Sequence, residues 1–265
     1  MNDVLVVIPC YNNFVGLSRT IASIDVNDCA DILVVDDGSD NEISDEDLRE
    51  YQSECRSIKV LRNVKNEGVA VSLNKGVQFA DQNGYRYIAR LDAGDRNLGA
   101  RLSLQRRFLD ANEDYIIVGS WVKFVSESGK TLFILRHPCN DGQIRNALFR
   151  YNPFVHPSVM IRVSALTTVQ GYPEEYPALE DWACFINLSK IGKLCNLPEV
   201  LLEYEVSADS VSSKKRYRQN LSKVKLLWAH FRWTPVQIIG LTKAIALLLI
   251  PRKPLTVLKQ CIIHR

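Results

Sequence analysis

The sequence predicts an α/β protein: a largely parallel sheet flanked by helices, followed by a basic helical tail. Three observations carry this. Short apolar runs alternate with segments of helical period through the first half, which is the pattern of βαβ units. The runs themselves are nearly pure Val, Leu and Ile, as buried strands are. And 265 residues at 46% hydrophobic composition suffice for a full core.

The elements follow in order. VLVVI (4–8) is the first strand; after the turn at Pro9 to Asn13, Phe14, Leu17, Ile21 and Ile24 recur at helical spacing. ILVVD (32–36) is the second strand, which completes a right-handed crossover unit. IKVLRN (58–63), a helix with Val69, Leu73 and Val77 on one face, and YRYIARLD (85–92) extend the sheet. A helix with Leu102, Phe108 and Leu109 then leads to a strand at YIIVGSWVKF (115–124), where the regular alternation stops. Beyond it, HPSVMI (156–161) reads as a strand, Asp181 to Ile191 as a helix ended by Gly192, and LPEVLLEYEV (197–206) as a last extended piece.

The charge is unevenly placed. After Ser213 the chain holds 12 of its 33 Lys and Arg and no Asp or Glu, leaving 21 basic against 30 acidic residues before it, a net of −9. A basic tail on an acidic body points to a local anionic surface, a membrane leaflet more than nucleic acid. Asn220 to Phe231 is amphipathic and basic, with Leu221, Val224, Trp228 and Phe231 at helical spacing. After Thr234-Pro235 comes PVQIIGLTKAIALLLI, whose 16 residues fall short of the ~20 needed to span hydrocarbon. Flanked by Arg232, Trp233, Arg252 and Lys253, it suits a helix lying in an anionic headgroup region; the alternative is a helix packed on the body. Seven scattered cysteines, with no Cys-x-x-Cys pair, read as reduced thiols. No basic region precedes Val4, so no signal peptide is expected.

Ligands of open parallel sheets bind beyond the carboxyl ends of the strands. There this sequence places Cys10-Tyr11-Asn12-Asn13, Asp36-Asp37-Gly38-Ser39, Asn63 with Asn66-Glu67-Gly68, and Asp92-Ala93-Gly94-Asp95. Carboxylates at that rim would repel a diphosphate unless a hard divalent cation, Mg²⁺ or Mn²⁺, lay between them, and Asp92 and Asp95 are placed to hold it. Asp36 and Asp37 can accept hydrogen bonds from a ribose hydroxyl or a base N–H while Tyr11 stacks on the base.

The ordered series IPCYNN, VVDDGSDN, RNVKNEGVAVSLNKG and YIARLDAGDRN resembles the family 2 glycosyltransferases, and the likeness continues through NPFVHPSVMIR and LEDWACFINLSKIGKLCNLPEVLLEYEV. It implies the GT-A fold, a Rossmann-like, mostly parallel sheet with flanking helices. A catalytic domain over 1–212 is expected, with a nucleotide-binding half (about 1–98) and an acceptor-binding half (about 99–212), and a membrane-associating tail over 213–265. The resemblance implies a nucleotide-sugar site at Pro9, Tyr11, Asp36, Asp37, Asn66, Arg90 and Asp92, and a metal at Asp92 and Asp95. Asp181 becomes the general base, with His156, Glu180 and Trp182 on the acceptor side. Asp181 opens a helix, whose positive end favours the ionised form. Trp182 is a sugar-stacking floor or a core residue.

The implied reaction is inverting transfer from a UDP- or dTDP-linked sugar to a lipid-linked saccharide, as in O-antigen, capsule or lipopolysaccharide synthesis. It would take place on the cytoplasmic face of the plasma membrane. Two departures stand out. The metal loop has Gly94 where similar enzymes carry the second Asp of Asp-x-Asp, and Ser207 stands where they often carry a histidine. Asp95, His156 or the nucleotide itself is left to complete the coordination. The competing readings are a degenerate member acting as a binding module and a sugar nucleotidyltransferase; the latter needs a Gly-rich, Arg-bearing loop after the first strand, which IPCYNN lacks.

Overall fold

The computed structural model describes residues 2–206, 216–231 and 233–249. In chain order it contains β1 (Val4–Cys10), α1 (Phe14–Ala22), β2 (Ala30–Asp36), β3 (Ile58–Arg62), α2 (Val69–Gln82), β4 (Tyr87–Arg90), β5 (Arg96–Asn97) and α3 (Arg101–Ala111). There follow β6 (Tyr115–Ser126), β7 (Thr131–Leu135), α4 (Asp141–Leu148), β8 (Met160–Arg162), α5 (Val163–Thr168), α6 (Glu180–Leu188) and β9 (Lys193–Val206). The tail supplies α7 (Arg216–Ala229) and α8 (Pro235–Leu249).

Among the described residues the strands form one sheet in the order β3-β2-β1-β4-β8-β6-β9-β5, with β7 paired to β6. β3, β2, β1 and β4 are mutually parallel, so their carboxyl ends share one edge. β8 runs antiparallel to both β4 and β6, and β6 is parallel to the long β9. The antiparallel insertion is why the alternation in the sequence stops after β4. HPSVMI is correspondingly only half strand: His156–Ser158 is a 3₁₀ turn around Pro157, and the ladder begins at Met160.

Side chains of a strand alternate between faces, and the core divides accordingly. Leu5, Val7, Leu33 and Val35 point into one apolar cluster, shared with Leu73 and Val77 of α2, Leu148 of α4, and Trp182 and Phe185 of α6. Val4, Val6, Ile8 and Val34 point into the other, with Leu17 and Ile21 of α1 and Leu102 and Leu109 of α3. Covering both faces is what a parallel sheet requires, and each buried aliphatic side chain contributes ~1.5–3 kcal/mol.

The tail helices join the first cluster through Leu226 and Leu227 of α7 and Leu241 and Ala244 of α8. Gly240 permits the approach of α8, because a Cβ there would lie 1.8 Å from the carbonyl oxygen of Phe149. Of the stripe expected from spacing, Val224 and Phe231 pack against this cluster while Leu221 and Trp228 are exposed, and the residues fully buried are Leu226 and Leu227. No helix among the described residues is long and apolar enough to cross a membrane. Ser207, Arg232, Arg252, Lys253 and Cys261, and the expected boundary at 212, lie outside the described residues.

Candidate active site

Two clusters of polar groups sit at the carboxyl edge. The first is built on the turn after β2. Asp36 is fully enclosed; Oδ1 accepts from Ser39 N (2.9 Å) and Oδ2 from Ile43 N (3.3 Å), with Arg62 at 3.7 Å. Its oxygens brace the turn. Asp37, 5% exposed, accepts from Asn63 Nδ2 (2.6 Å) and the backbone N–H groups of Glu67 and Gly68 (2.9 Å each). It ties the β2 turn to the loop carrying Asn66, which is exposed.

Gly38 makes that junction possible. Its φ is +74°, and a Cβ would lie 2.4 Å from the backbone carbon of Lys65. Gly38→Ala is therefore expected to lower stability by about 2 kcal/mol through αL strain and overpacking, read as a lower denaturant midpoint at unchanged m. Beside this turn Tyr11 is 48% exposed, with room for a planar ligand, and Pro9 is half-buried. Asn12 holds the Tyr11 loop to Ser39 and Asp40 (2.9–3.0 Å).

The second cluster surrounds Arg90, at the end of β4 and 3% exposed. It is ion-paired with Asp92. Its charge acts on the proton affinities of Asp95, His156, Tyr172, Glu180, Asp181 and Tyr204. Residues more than 80 positions apart are thus gathered around one buried guanidinium. Asp92 is 38% exposed at the rim, while Asp95 lies behind it, 3% exposed. Asp95 Oδ1 accepts from Glu205 N (3.2 Å) and Oδ2 is buried with no hydrogen-bond partner. Burial, and then the charge of Asp92, push the Asp95 carboxyl well above the usual range. Thr20 of α1 fixes this loop, accepting from Gly94 N (2.9 Å) and donating to the carbonyl of Asp95 (2.7 Å).

No group of three or more His, Cys, Asp or Glu with ligating geometry occurs among the described residues. The pair Asp92 and Asp95 fits a divalent cation all the same. One carboxylate is at the rim, and the other has an orphaned oxygen and a charge conflict that a cation would relieve. His156 stands apart from that role: its Nε2 is 3.3 Å from the Tyr172 hydroxyl, its ring packs on Phe185, and burial and Arg90 hold it neutral.

Asp181 is the second residue of α6, and Leu179, not Asp181, occupies the cap position. Its Oδ2 accepts from Asn152 Nδ2 (2.8 Å) and its Oδ1 from Trp182 N (2.7 Å). Burial first, then the adjacent Glu180, push its pKa up to about 7. Desolvation thus opposes the preference for the ionised form that the helix end gives it. Glu180 is itself 9% exposed and raised by burial, with Asp92 adding to the effect. Asp181 lines a cavity of about 360 Å³ with Tyr151, Asn152, Ala178, Leu179, Trp182, Asn220 and Lys223. Trp182 belongs to the core: it is 3% exposed, its Nε1 donates to Leu148 O (2.8 Å), and Lys223 covers its ring. Of its two expected readings the burial favours the core residue, which also lines the cavity.

Sequence reasoning missed Asn152, Thr20 and Lys223. Asn152 opens the NPFVHP string and was signalled there; Thr20 and Lys223 carry no local signal, because their roles are tertiary.

The family model for "Glycosyl transferase family 2" matches residues 5–168. An uncharacterized glycosyltransferase of Methanocaldococcus jannaschii is 29% identical over 196 residues, 73% of this chain; the chain spans 64% of that protein's length. The UDP-Gal:alpha-D-GlcNAc-diphosphoundecaprenol beta-1,3-galactosyltransferase of Escherichia coli is 27% identical over 229 residues, covering 82% of this chain and 78% of that one. Among solved structures, a mannosyltransferase of Pyrobaculum calidifontis in complex with GDP-Man and Mn²⁺ superposes with a TM-score of 0.64. It is 15% identical and covers 97% of this chain and 79% of that one, a likeness of fold.

Proposed function

The chain belongs to glycosyl transferase family 2, and on that premise we propose that it transfers a sugar, with inversion, from a nucleoside-diphosphate donor to a hydroxyl of a lipid-linked saccharide. The observation that carries this reading is Asp181: a carboxylate with a pKa of about 7, held by Asn152 at the wall of a cavity and grouped electrostatically with Arg90. A base poised near the working pH is what proton abstraction from a hydroxyl needs.

In the proposed reaction Asp181 takes the proton of the acceptor hydroxyl. That oxygen bonds to the anomeric carbon, and the bond from that carbon to the diphosphate breaks on the opposite face. Tyr11 and the Asp37 turn receive the nucleoside of a UDP- or dTDP-linked donor. Arg90, ion-paired with Asp92, would counter the negative charge that grows on the leaving group. A divalent cation held by Asp92 and Asp95 would neutralise the diphosphate, as the Mn²⁺ of the fold neighbour suggests. The lipid-linked acceptor is supported by the diphosphoundecaprenol acceptor in the name of the E. coli relative, and O-antigen, capsule or lipopolysaccharide synthesis is the setting it favours.

The test is release of nucleoside diphosphate from a panel of UDP-, dTDP- and GDP-sugars with lipid-linked acceptors, with and without Mn²⁺. Turnover with one donor, stimulated by Mn²⁺, is expected. A second reading, a binding module that has lost catalysis, is favoured by Gly94, which removes one loop carboxylate; it predicts no release with any donor.

We further place the tail against an anionic membrane surface on the cytoplasmic face. Trp228 and Trp233 are 65% and 79% exposed, Ile238, Ile239 and Ile245 are exposed on α8, and the segment carries no acidic residue. Trp228→Ser with Trp233→Ser is expected to reduce cosedimentation with phosphatidylglycerol vesicles by about tenfold at unchanged Tm. Undiminished cosedimentation would discard this placement.

A further inference from the structure

The tail supplies one wall of the cavity beside Asp181. Lys223 projects into its wall from α7, one turn before Leu226 and Leu227, which anchor that helix in the core. Its ammonium lies 4.8 Å from the centre of the Trp182 ring, and its nearest described acceptor is the carbonyl of Arg150 at 3.4 Å. No ion pair with a carboxylate is found for it among the described residues. The charge that does act on it is a second cation, Lys243 of α8, which with burial lowers its proton affinity. Lys223 and Asp181 line one cavity, and no ion pair between them occurs among the described residues.

A half-buried cation with a cationic neighbour and no counterion is an anion site. The cavity, about 360 Å³, is the size of a small ligand site, and its two charged walls differ: a base for a hydroxyl on one side, an unpaired ammonium on the other. We propose that Lys223 binds the phosphoryl group joining the acceptor's sugar to its carrier, so that the tail helix completes the acceptor site and selects phosphorylated carriers over neutral glycosides. This rests on the acceptor reading given under Proposed function and names the feature of the acceptor that the site reads. Trp182, beneath the ammonium, holds Lys223 in place, and of the lysine's three N–H donors one meets the carbonyl of Arg150.

The test uses the full chain as wild type, Lys223→Met and Lys223→Arg, with farnesyl diphosphate, farnesol and phosphatidylglycerol vesicles as probes. Calorimetry in metal-free buffer keeps the donor diphosphate site from competing. Lys223→Met is expected to weaken farnesyl diphosphate binding by about tenfold or more and Lys223→Arg by much less, because the cation is retained. Farnesol binding, vesicle binding and Tm are expected to stay unchanged. Equal losses for farnesyl diphosphate and farnesol would reduce Lys223 to a structural residue, and losses on vesicles alone would assign it to a lipid headgroup; either overturns the proposal. So does wild-type affinity for farnesyl diphosphate in Lys223→Met. Should Lys223→Met fail to fold, Lys223→Gln carries the same comparison. Failure of the acceptor reading would show differently, as no nucleoside diphosphate release by the wild type with any donor.

Discussion

Asp181→Asn is expected to lower kcat/KM for glycosyl transfer by about three orders of magnitude, within the range that a positioned general base supplies. The amide keeps the size of the side chain and its oxygen can still accept from Trp182 N–H, while its NH2 replaces the oxygen that accepted from Asn152, so the loss should fall mainly on kcat. The pH profile sharpens the test. With the pKa raised to about 7, the wild-type carboxyl is protonated below that pH and cannot accept a proton. Activity should therefore rise with pH through about 7 and level off above it, and Asp181→Asn should remove that limb. A profile that stays flat from pH 5 to 9 in the wild type would take the proton-accepting role away from Asp181.

Arg90→Met is expected to have the largest effect on stability. The guanidinium is 3% exposed and paired with Asp92, and it lowers the proton affinities of Asp95, Glu180 and Asp181. Removing one partner of a fully buried ion pair costs ~3–5 kcal/mol. Because Asp92 is 38% exposed, solvent screens part of this, and about 2–3 kcal/mol is expected at neutral pH. The catalytic limb should move at the same time. Arg90 favours the ionised form of Asp181, so without it the pKa rises and the activity limb shifts to higher pH. A variant with an unmoved limb but lower stability would make Arg90 a structural residue alone.

The parts legible in the sequence are those in which one local pattern decides the outcome. VLVVI and ILVVD could only be buried strands, and the side chains just past them could only meet at the carboxyl edge of a parallel sheet. The likeness to the family carried Asp181 to the cavity wall. What was not legible depends on which way a residue faces. Of the neighbours Asp36 and Asp37, the first turns inward to brace its own loop and the second clamps the next one, and adjacency gives no means of telling them apart. The raised pKa of Asp181 was not legible because a helix end is visible in sequence whereas desolvation by the surrounding fold is not. Trp182 was left between two readings for the same reason, and the contact between its ring and Lys223 links segments 41 residues apart. The tail was readable as basic and apolar, but its register on the core, set by Leu226, Leu227 and Gly240, follows from surfaces of α4 and α6 that it packs against.

In the proposed reaction a sugar donor and its acceptor meet between the Arg90 cluster and the Asp181 cavity. A crystal structure of the chain with Mn²⁺ and a non-hydrolysable analogue of the sugar nucleotide it uses would show this. Expected are the base against Tyr11, the diphosphate at Asp92 beside Arg90, and the anomeric carbon turned toward the Asp181 carboxylate. A nucleotide seated elsewhere, or an anomeric carbon facing away from Asp181, would contradict it.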